Sequence, residues 1–384
     1  MKFIHLSDLH LGLKLFNYDL IEEQRDALAQ IVEQVKQTQP DAVVVAGDVY
    51  DKSIPSADAL ELFDDFLNDV SEASAKTQIM TISGNHDSAP RLDQYRRFLS
   101  RMNVHMVGLP PRRPDESIEK VAIEDEFGVV NFYLLPFVKP TSVKEIVGVD
   151  EKGNNRSYEE SLRRLLEREY IDPTERNVLV SHQFYYPGGQ SPDSVERMES
   201  ETYGVSVGNV DAVSSDLLSA FDYAALGHIH KPWSLGGDPC RRYCGTPYPY
   251  SVDEQGQKKG SVLVELFEKG AVNTSVLPIT PLRAVRTVEG LFDDVLKQGC
   301  DDYVRVVLTD PAGEVLVDVR ERLLNAFPRL LEIRRKHVAS SGGESARVGM
   351  TTDPMELCRM FLGELTLEDE ELLQDVVNSV KGVE

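Results

Sequence analysis

Short apolar runs alternate with helix-length amphipathic segments through the first part of the chain. This alternation is typical of an α/β domain, in which buried strands form sheets and helices cover their faces. We predict strands at Lys2–Ser7, Asp41–Ala46, Gln78–Ser83, Val129–Leu135, Asn177–Ser181 and Tyr223–Leu226. The segments predicted to form helices are Ile21–Gln37, Ser56–Val70, Arg91–Met102 and Tyr158–Tyr170.

The rest of the chain predicts a smaller β/α unit and a separate tail. Two further strands, Ser261–Phe267 and Val272–Leu277, precede a stiff proline-containing linker. The predicted elements that follow are helices near Gly290–Lys297 and Glu314–Ala326 and strands at Tyr303–Leu308 and Arg329–Arg334. We therefore expect a main domain at 1–277, a smaller domain at 282–338, a flexible Ser/Gly/Thr-rich linker at 339–352 and terminal helices at 353–384.

Polar clusters follow several of the predicted strands directly. The residues of metal-ligand type at these strand ends are Asp8, His10, Asp48, Asn85, His182, His228 and His230. Ligands of open α/β sheets bind beyond the carboxyl ends of the strands, so these side chains are expected to converge on one site.

Oxygen and imidazole donors without thiolate suit Mn²⁺ or Fe²⁺, and zinc remains a third candidate. One metal cannot use so many side chains and still leave a position for substrate. Two metals that share one carboxylate can, and such a pair, about 3.5–4 Å apart, clamps a phosphate and activates a water.

Each motif alone is weak evidence for a metal site, because a histidine at a strand end is more often structural. The ordered combination of D-x-H, G-D-x-x-D, G-N-H-D, a strand ending in His and G-H-x-H is a strong signal.

Composition restricts the function further. The 384 residues carry 41 Lys+Arg against 64 Asp+Glu, a formal net charge of −23, which argues against a basic protein that coats nucleic acid. Four scattered cysteines do not make a disulfide framework. The N-terminus has no leader-like pattern and no apolar run has the length of a membrane span, so we expect a cytoplasmic protein.

The five ligand motifs resemble the calcineurin-like metallophosphoesterase superfamily over roughly residues 1–275. Longer stretches resemble its SbcD-like branch, the nuclease subunits of double-strand-break repair complexes. These stretches are Phe3–Gly12, Ala46–Asp51, Ile82–Ser88, Phe221–Pro232 and Tyr243–Ser251, with Thr246 where that branch has Ser. The resemblance implies a four-layer α/β/β/α sandwich with a small α/β capping domain and C-terminal helices.

The resemblance also implies roles for the site residues. Asp8, His10 and His230 would hold the first metal, Asp48 would bridge, and Asn85, His182 and His228 would hold the second. His86 would act on the scissile phosphate or the leaving oxygen, and the Asp51 carboxylate would orient His86. The cofactor implied is a pair of divalent ions, with Mn²⁺ preferred.

The same resemblance implies a DNA nuclease that acts in repair, recombination and replication. It would be a 3′→5′ exonuclease on duplex DNA and an endonuclease on hairpins and single strands. The chain has no Gly-x-x-x-x-Gly-Lys-Ser/Thr loop. The implied source of ATP dependence is an SbcC-like ABC ATPase bound by the C-terminal helices, in a heterotetramer that contains a homodimer of this chain. The alternative is a stand-alone phosphatase or phosphodiesterase of small esters. A non-enzymatic scaffold would predict at least one lost ligand, and none of the seven is lost.

Overall fold

The computed structural model describes residues 1–190, 211–311 and 316–336, together with residue 373. The chain divides into two compact units, Met1–Lys336 and His337–Glu384, and the description below concerns the first. The predicted linker at 339–352 lies outside the described residues, as do the predicted helices at 353–384 apart from residue 373.

Strands outnumber helices in the described part of the chain. The strands are β1 (Lys2–Leu6), β2 (Lys14–Leu15), β3 (Tyr18–Asp19), β4 (Ala42–Ala46), β5 (Gln78–Ile82), β6 (Val104–Val107), β7 (Glu119–Asp125), β8 (Gly128–Leu135), β9 (Arg176–His182), β10 (Tyr185–Tyr186), β11 (Val213–Ser214), β12 (Tyr223–Gly227), β13 (Trp233–Ser234), β14 (Arg241–Tyr243), β15 (Gly260–Leu266), β16 (Val272–Pro278), β17 (Val285–Gly290), β18 (Tyr303–Leu308) and β19 (Arg329–Arg335). The helices are α1 (Ile21–Thr38), α2 (Ala57–Ala73), α3 (Ala89–Leu92), α4 (Arg96–Leu99), α5 (Lys144–Val147), α6 (Tyr158–Glu167), α7 (Phe292–Leu296) and α8 (Val319–Ala326). Among the described residues, no helix has both the length and the apolar character needed to cross a bilayer.

Two six-stranded sheets pack face to face. The first has the order β16-β15-β1-β4-β5-β6 and the second the order β13-β14-β12-β9-β8-β7. In the first sheet β1, β4, β5 and β6 run parallel, and in the second β8, β9, β12 and β14 do. Helices α1 and α2 cover the first sheet and α6 covers the second, which confirms the predicted α/β/β/α sandwich.

The alternation of side chains along buried strands creates these layers. In β4, Val43 and Val45 pack toward α1 and α2, while Val44 packs between the sheets with Phe132 of β8 and Val178 of β9. Because both faces of such a strand are covered, its sequence is apolar throughout, as parallel strands in layered folds require.

The covering helices follow from their own apolar spacing and caps. In α1 the buried Ala27, Leu28, Ile31, Val32 and Val35 recur at three- and four-residue intervals and form one apolar face. The Ser56 side chain caps α2 by accepting a hydrogen bond from the Ala59 amide, and Ser157 caps α6 in the same way.

A third, three-stranded parallel sheet, in the order β17-β18-β19, belongs to the smaller β/α unit. Its own core lies between these strands and helices α7 and α8. It joins the main sandwich through α1: the Tyr303 hydroxyl donates to Glu23 Oε1 at 2.9 Å, and Arg283 Nη1 donates to the same oxygen at 2.5 Å. Glu23 is 1% exposed, so the joint contains a buried carboxylate.

The predicted helix Arg91–Met102 is wrong. The structure has two short helices there, α3 and α4, because Tyr95 adopts a left-handed conformation with φ of 62°. Asp93 Oδ1 accepts a hydrogen bond from the Gly108 amide at 3.1 Å, so its side chain ties this segment to the end of β6. Strands β6, β7 and β17 were not predicted from the sequence.

His5 lies in the layer between the two sheets and is completely buried. Its Nδ1 is 3.0 Å from the hydroxyl of Tyr223, which belongs to the opposite sheet. Burial first, and the nearby Arg242 second, lower the pKa of His5 to about 3. The folded protein therefore holds this imidazole neutral.

This gives a prediction for acid stability. The unfolded chain protonates His5 below its ordinary pKa of 6.5 while the folded chain does so only near 3, so stability present above pH 6.5 is lost as the pH falls between these values. His5→Gln should remove up to about 1.4 kcal/mol per pH unit of that slope. Urea unfolding at a series of pH values measures it. Parallel curves for the two proteins below pH 6.5 would contradict the assignment.

Candidate metal centre

The predicted ligand residues lie at the carboxyl ends of five parallel strands. Asp8 and His10 follow β1, Asp48 follows β4, and Asn85 follows β5. His182 ends β9, while His228 and His230 follow β12 in the same sheet. Because the two sheets are stacked, the strand ends of both meet at one edge, and the structure brings all seven residues together there.

One group consists of Asp8, His10 and His230. A ligand atom from each lies within 4.8 Å of the others, and all three residues are buried. The Nε2 atoms of His10 and His230 are 3.1 Å apart. Two buried imidazole nitrogens at this distance need a proton or a cation between them, and the nearby carboxylate of Asp8 favours positive charge.

A second group surrounds Asn85. Its Oδ1 lies 3.0 Å from His182 Nε2 and 3.0 Å from His228 Nδ1. The carboxylate of Asp48 connects the two groups, since its Oδ2 is 3.2 Å from His182 Nε2 and 3.7 Å from His10 Nε2. This is the arrangement in which one carboxylate can serve two ions.

The electrostatics match a site built for positive charge. Burial opposes ionisation of Asp48, but His182 and His10 hold the pKa of this carboxyl well below its usual range. Burial also opposes charge on His182, yet Asp48 raises the pKa of this imidazole to about 9. Ligand histidines must be neutral, so a cation bound here takes the place of that proton.

The donor set itself fits divalent cations. It contains carboxylate, amide and imidazole donors and no thiolate, which suits Mn²⁺, Fe²⁺ or Zn²⁺. In the described part of the chain, the buried Nδ1 of His10 also has no hydrogen-bond partner. A buried polar atom without a partner destabilises the folded chain. At a site that binds ions, this loss of stability can be tolerated for the sake of function.

His86 lies beside the first group, with its ring edge-on to His10 at a centroid distance of 4.8 Å. Its amide donates to Asp48 Oδ1 at 2.8 Å. Its Nδ1 is 2.8 Å from the backbone carbonyl of Asp51, so Nδ1–H donates there and Nε2 keeps the lone pair. The observed contact differs from the expected one, because the carbonyl of Asp51 and not its carboxylate bonds to His86.

The backbone at the site is strained. Asp8, His10, Asp48 and His228 all have positive φ, at 53°, 43°, 48° and 102°. Such conformations cost about 1–3 kcal/mol each for residues other than glycine. They persist because hydrogen bonds join the loops to one another. The Asp8 amide donates to the carbonyl of Gly47 and the His10 amide donates to the carbonyl of Asp48, both at 3.0 Å. The His228 amide donates to Asp8 Oδ1, also at 3.0 Å.

Two residues outside the ligand motifs, not predicted from the sequence, hold the segment from Asp8 to His10. The Gln24 side chain on α1 donates from Nε2 to the carbonyl of His10 at 2.8 Å. The Tyr250 hydroxyl donates to the carbonyl of Leu9. The position of Gln24 on the apolar face of α1 could have indicated a buried polar contact. The sequence gives no indication that its partner is the carbonyl of His10.

Asp87 is a third residue without a predicted role, although it lies in the G-N-H-D motif. Its carboxylate accepts hydrogen bonds from the amides of Val49, Tyr50 and Gly84 at 2.9–3.1 Å. It therefore locks the loop that carries Asp48 to the loop that carries Asn85. Burial, with Asp48 nearby, raises the pKa of Asp87 to about 6.

Close approach explains why glycine precedes Asp48 and Asn85. A Cβ on Gly84 would lie 2.1 Å from Asp48 Oδ1, and a Cβ on Gly47 would lie 2.3 Å from His182 Nδ1. These glycines are required because loops from neighbouring strands pack directly against ligand side chains.

The calcineurin-like phosphoesterase family model matches residues 1–232 of this chain. The chain belongs to the calcineurin-like phosphoesterase family. The predicted membership is thereby confirmed, and the chain is a hydrolase of phosphate esters whose ligand clusters imply divalent metals. This phosphoesterase is 28% identical over 340 residues to the SbcD component of the SbcCD nuclease of Staphylococcus epidermidis, a match that covers 87% of this chain and 85% of the relative.

Two solved structures are similar to this phosphoesterase at 14% identity. A dimetal phosphatase from Danio rerio matches with a TM-score of 0.40 over 73% of this chain and 99% of that one. The GAP50 anchor in the inner membrane complex of Plasmodium matches with a TM-score of 0.41 over 89% of this chain and 98% of that one.

Gly84→Ala tests the packing of the centre. The added methyl group must displace the Asp48 carboxylate, so Mn²⁺ affinity measured by calorimetry should fall at least about tenfold. Gly290→Ala is the matched control, because its Cβ would have Val295 at an ordinary 3.5 Å and it lies in the smaller β/α unit. Equal affinity in Gly84→Ala and the control would contradict the role given to this close approach.

Proposed function

We propose that this phosphoesterase is a two-metal DNA nuclease, the SbcD-like component of an SbcCD-like complex. The observation that carries the proposal is the pair of ligand groups joined by Asp48, with His86 against the first group. The Staphylococcus relative is named a nuclease subunit and matches over most of both chains, which supports a nucleic acid as the substrate.

In this proposal Asp8, His10 and His230 would hold the first ion. The residues that would hold the second ion are Asn85, His182 and His228, and Asp48 would serve both ions. When bound, the ions supply Lewis acidity that neutralises phosphate charge and lowers the pKa of a water. We favour Mn²⁺, which this mixed oxygen and nitrogen donor set suits.

His86 is the proposed proton-handling residue. Its Nδ1–H is committed to the carbonyl of Asp51, which fixes the ring and leaves Nε2 for the scissile group. Protonated at Nε2, it would stabilise the phosphoryl oxygen or donate a proton to the leaving oxygen. Asp51 acts here as a positioning residue through its backbone.

A cavity of about 640 Å³ opens beside His10, His86 and His230. Lys14 and Lys52 line it, as does Arg305 of β18, so the cavity lies between the main sandwich and the smaller β/α unit. Arg305 pairs with Glu332, whereas the exposed Lys14 near the reacting centre suits a chain of phosphates, because contacts to the backbone position a nucleic acid. This supports the proposal that the unit at 282–338 acts as a DNA-capping domain.

The net charge of −23 is compatible with DNA as substrate. Two divalent ions bring +4 and the ionised Asp8 and Asp48 bring −2, which leaves the centre near +2. The acidic excess lies elsewhere, including Glu368–Glu371. We propose that the chain alone holds DNA weakly. In this proposal a homodimer of the chain and an SbcC-like ATPase bound at 353–384 supply the affinity for DNA, and the ATPase supplies ATP control. The resulting heterotetramer would be cytoplasmic and would act in repair, recombination and replication.

The test of the chemistry is cleavage of end-labelled duplex DNA with Mn²⁺. The wild-type chain should degrade it from the 3′ end and should cut hairpins and single strands internally. His86→Gln should lower the rate by about 10²–10⁴-fold, the usual contribution of a general acid. His105→Gln is the control, because His105 bonds to Gln78 at 2.9 Å on strands β5 and β6.

Two results would contradict these assignments. Hydrolysis of small phosphate esters without any cleavage of DNA would favour the stand-alone phosphodiesterase or phosphatase. Wild-type rates in His86→Gln would remove His86 from the chemistry.

The partner assignment predicts that deletion of 353–384 abolishes co-elution with an SbcC-like ATPase. The rate of hydrolysis of a small phosphodiester should stay within about twofold of the full-length rate, because the site lies wholly in 1–336. Light scattering of the complex with the ATPase should give a mass that includes two copies of the 43.0 kDa chain. Co-elution of the truncated chain would place the ATPase contact elsewhere.

A further inference from the structure

A buried ion pair lies directly behind His230. Lys259 Nζ is 2.6 Å from Glu254 Oε2, and both side chains are 0% exposed. Neither residue belongs to the ligand motifs. They follow the Tyr243–Ser251 stretch, whose Tyr250 hydroxyl donates to the carbonyl of Leu9.

Both members of the pair reach His230, by different atoms. Glu254 Oε1 lies 3.5 Å from Nδ1 of the His230 ring. Lys259 Nζ donates to the backbone carbonyl of His230 at 3.1 Å. The ring and the peptide of this one histidine are therefore held by the two ends of one ion pair.

Thr246 completes the network. Its amide donates to the His230 carbonyl at 3.1 Å, and its hydroxyl donates to Glu254 Oε2 at 2.9 Å. Lys259 Nζ also lies 2.7 Å from Thr246 Oγ1 and 3.0 Å from Gln257 Oε1. The threonine that replaces serine in the Tyr243–Ser251 stretch thus bonds both to the ion pair and to the histidine it supports.

Stability alone does not account for this pair. Burying two charges carries a large desolvation penalty, and well-packed apolar residues of similar volume often stabilise a protein as well or better. A carboxylate near the far nitrogen of a ligand histidine has a specific effect, because it fixes the tautomer, orients the ring and raises its basicity. For His230 the fixed tautomer carries its proton on Nδ1 and directs the lone pair of Nε2 toward the side of His10.

We propose that Glu254 is a positioning residue that holds His230 in the tautomer and orientation needed to bind a divalent cation, and that Lys259 holds the Glu254 carboxylate in place and fixes the His230 peptide. This inference rests on the proposed two-metal site. It extends the site to a second layer of side chains that no ligand motif contains.

The experiment is a titration of the full-length chain with Mn²⁺ in the absence of DNA. Electron paramagnetic resonance measures the free Mn²⁺ at each point of the titration. Glu254→Gln keeps the size of the side chain and removes its charge. It should weaken one of the two Mn²⁺ sites by about 10–100-fold and leave the other unchanged. Asp125→Asn is the matched control, because Asp125 pairs with the buried Arg176 at a distance from the site, and both Mn²⁺ affinities should stay at wild-type values there.

A second variant separates positioning from a purely structural role. In Glu254→Leu/Lys259→Met both charges are replaced by apolar groups, so the thermal midpoint should stay near that of the wild-type chain. The affinity of one Mn²⁺ site should nevertheless remain about 10–100-fold weaker. If the single variant does not fold, this double variant decides the question.

The outcomes distinguish the inference from the proposed function. Wild-type affinity at both sites in Glu254→Gln or in the double variant would overturn the inference, whatever the chain cleaves. Two Mn²⁺ ions bound by the wild-type chain without cleavage of DNA would overturn the nuclease assignment and leave the role of Glu254 standing. A wild-type chain that binds no Mn²⁺ would overturn both.

Discussion

The buried carboxylate of Asp48 is the interaction on which the site depends. It extends from the first sheet toward His182 of the second sheet, and it also accepts a hydrogen bond from the amide of His86. A buried carboxylate is favourable only when nearby positive charge and hydrogen-bond donors compensate for the loss of water around it. The pairing of the two sheets and the binding of cations are therefore coupled, since both bring charge of the required sign to the same oxygen atoms.

The loops that meet at Asp48 are strained, and the surrounding structure restrains them. Asp8, His10, Asp48 and His228 have positive φ, and a backbone amide or carbonyl of each makes a hydrogen bond to a neighbouring loop. Asp87, Gln24 and Tyr250 add further bonds to the same loops. Loops restrained by this many hydrogen bonds can hold donor atoms in a fixed arrangement before an ion binds. Preorganisation of a metal site requires such an arrangement.

Sequence patterns found the elements whose causes are local. The fully apolar β4 and the three- and four-residue spacing in α1 can be read directly, because burial on two faces or on one face leaves a distinct pattern. The helix predicted at Arg91–Met102 was wrong for a tertiary reason: Asp93 bonds to Gly108, and Tyr95 turns the chain between the two short helices. Strand β7 was missed because it is an edge strand rich in charge, a pattern that also occurs in loops.

By itself the sequence determined which donor side chains meet, because short motifs that each follow a strand carry them and the carboxyl ends of parallel strands share an edge. Only the tertiary structure decided which atoms hold those side chains in place. Glu254 lies 24 residues after His230, and Gln24 supports a backbone 14 residues before it. The carbonyl of Asp51, not its carboxylate, bonds to His86. Such contacts depend on how loops from two sheets pack against one another, and no local pattern of residues records that packing.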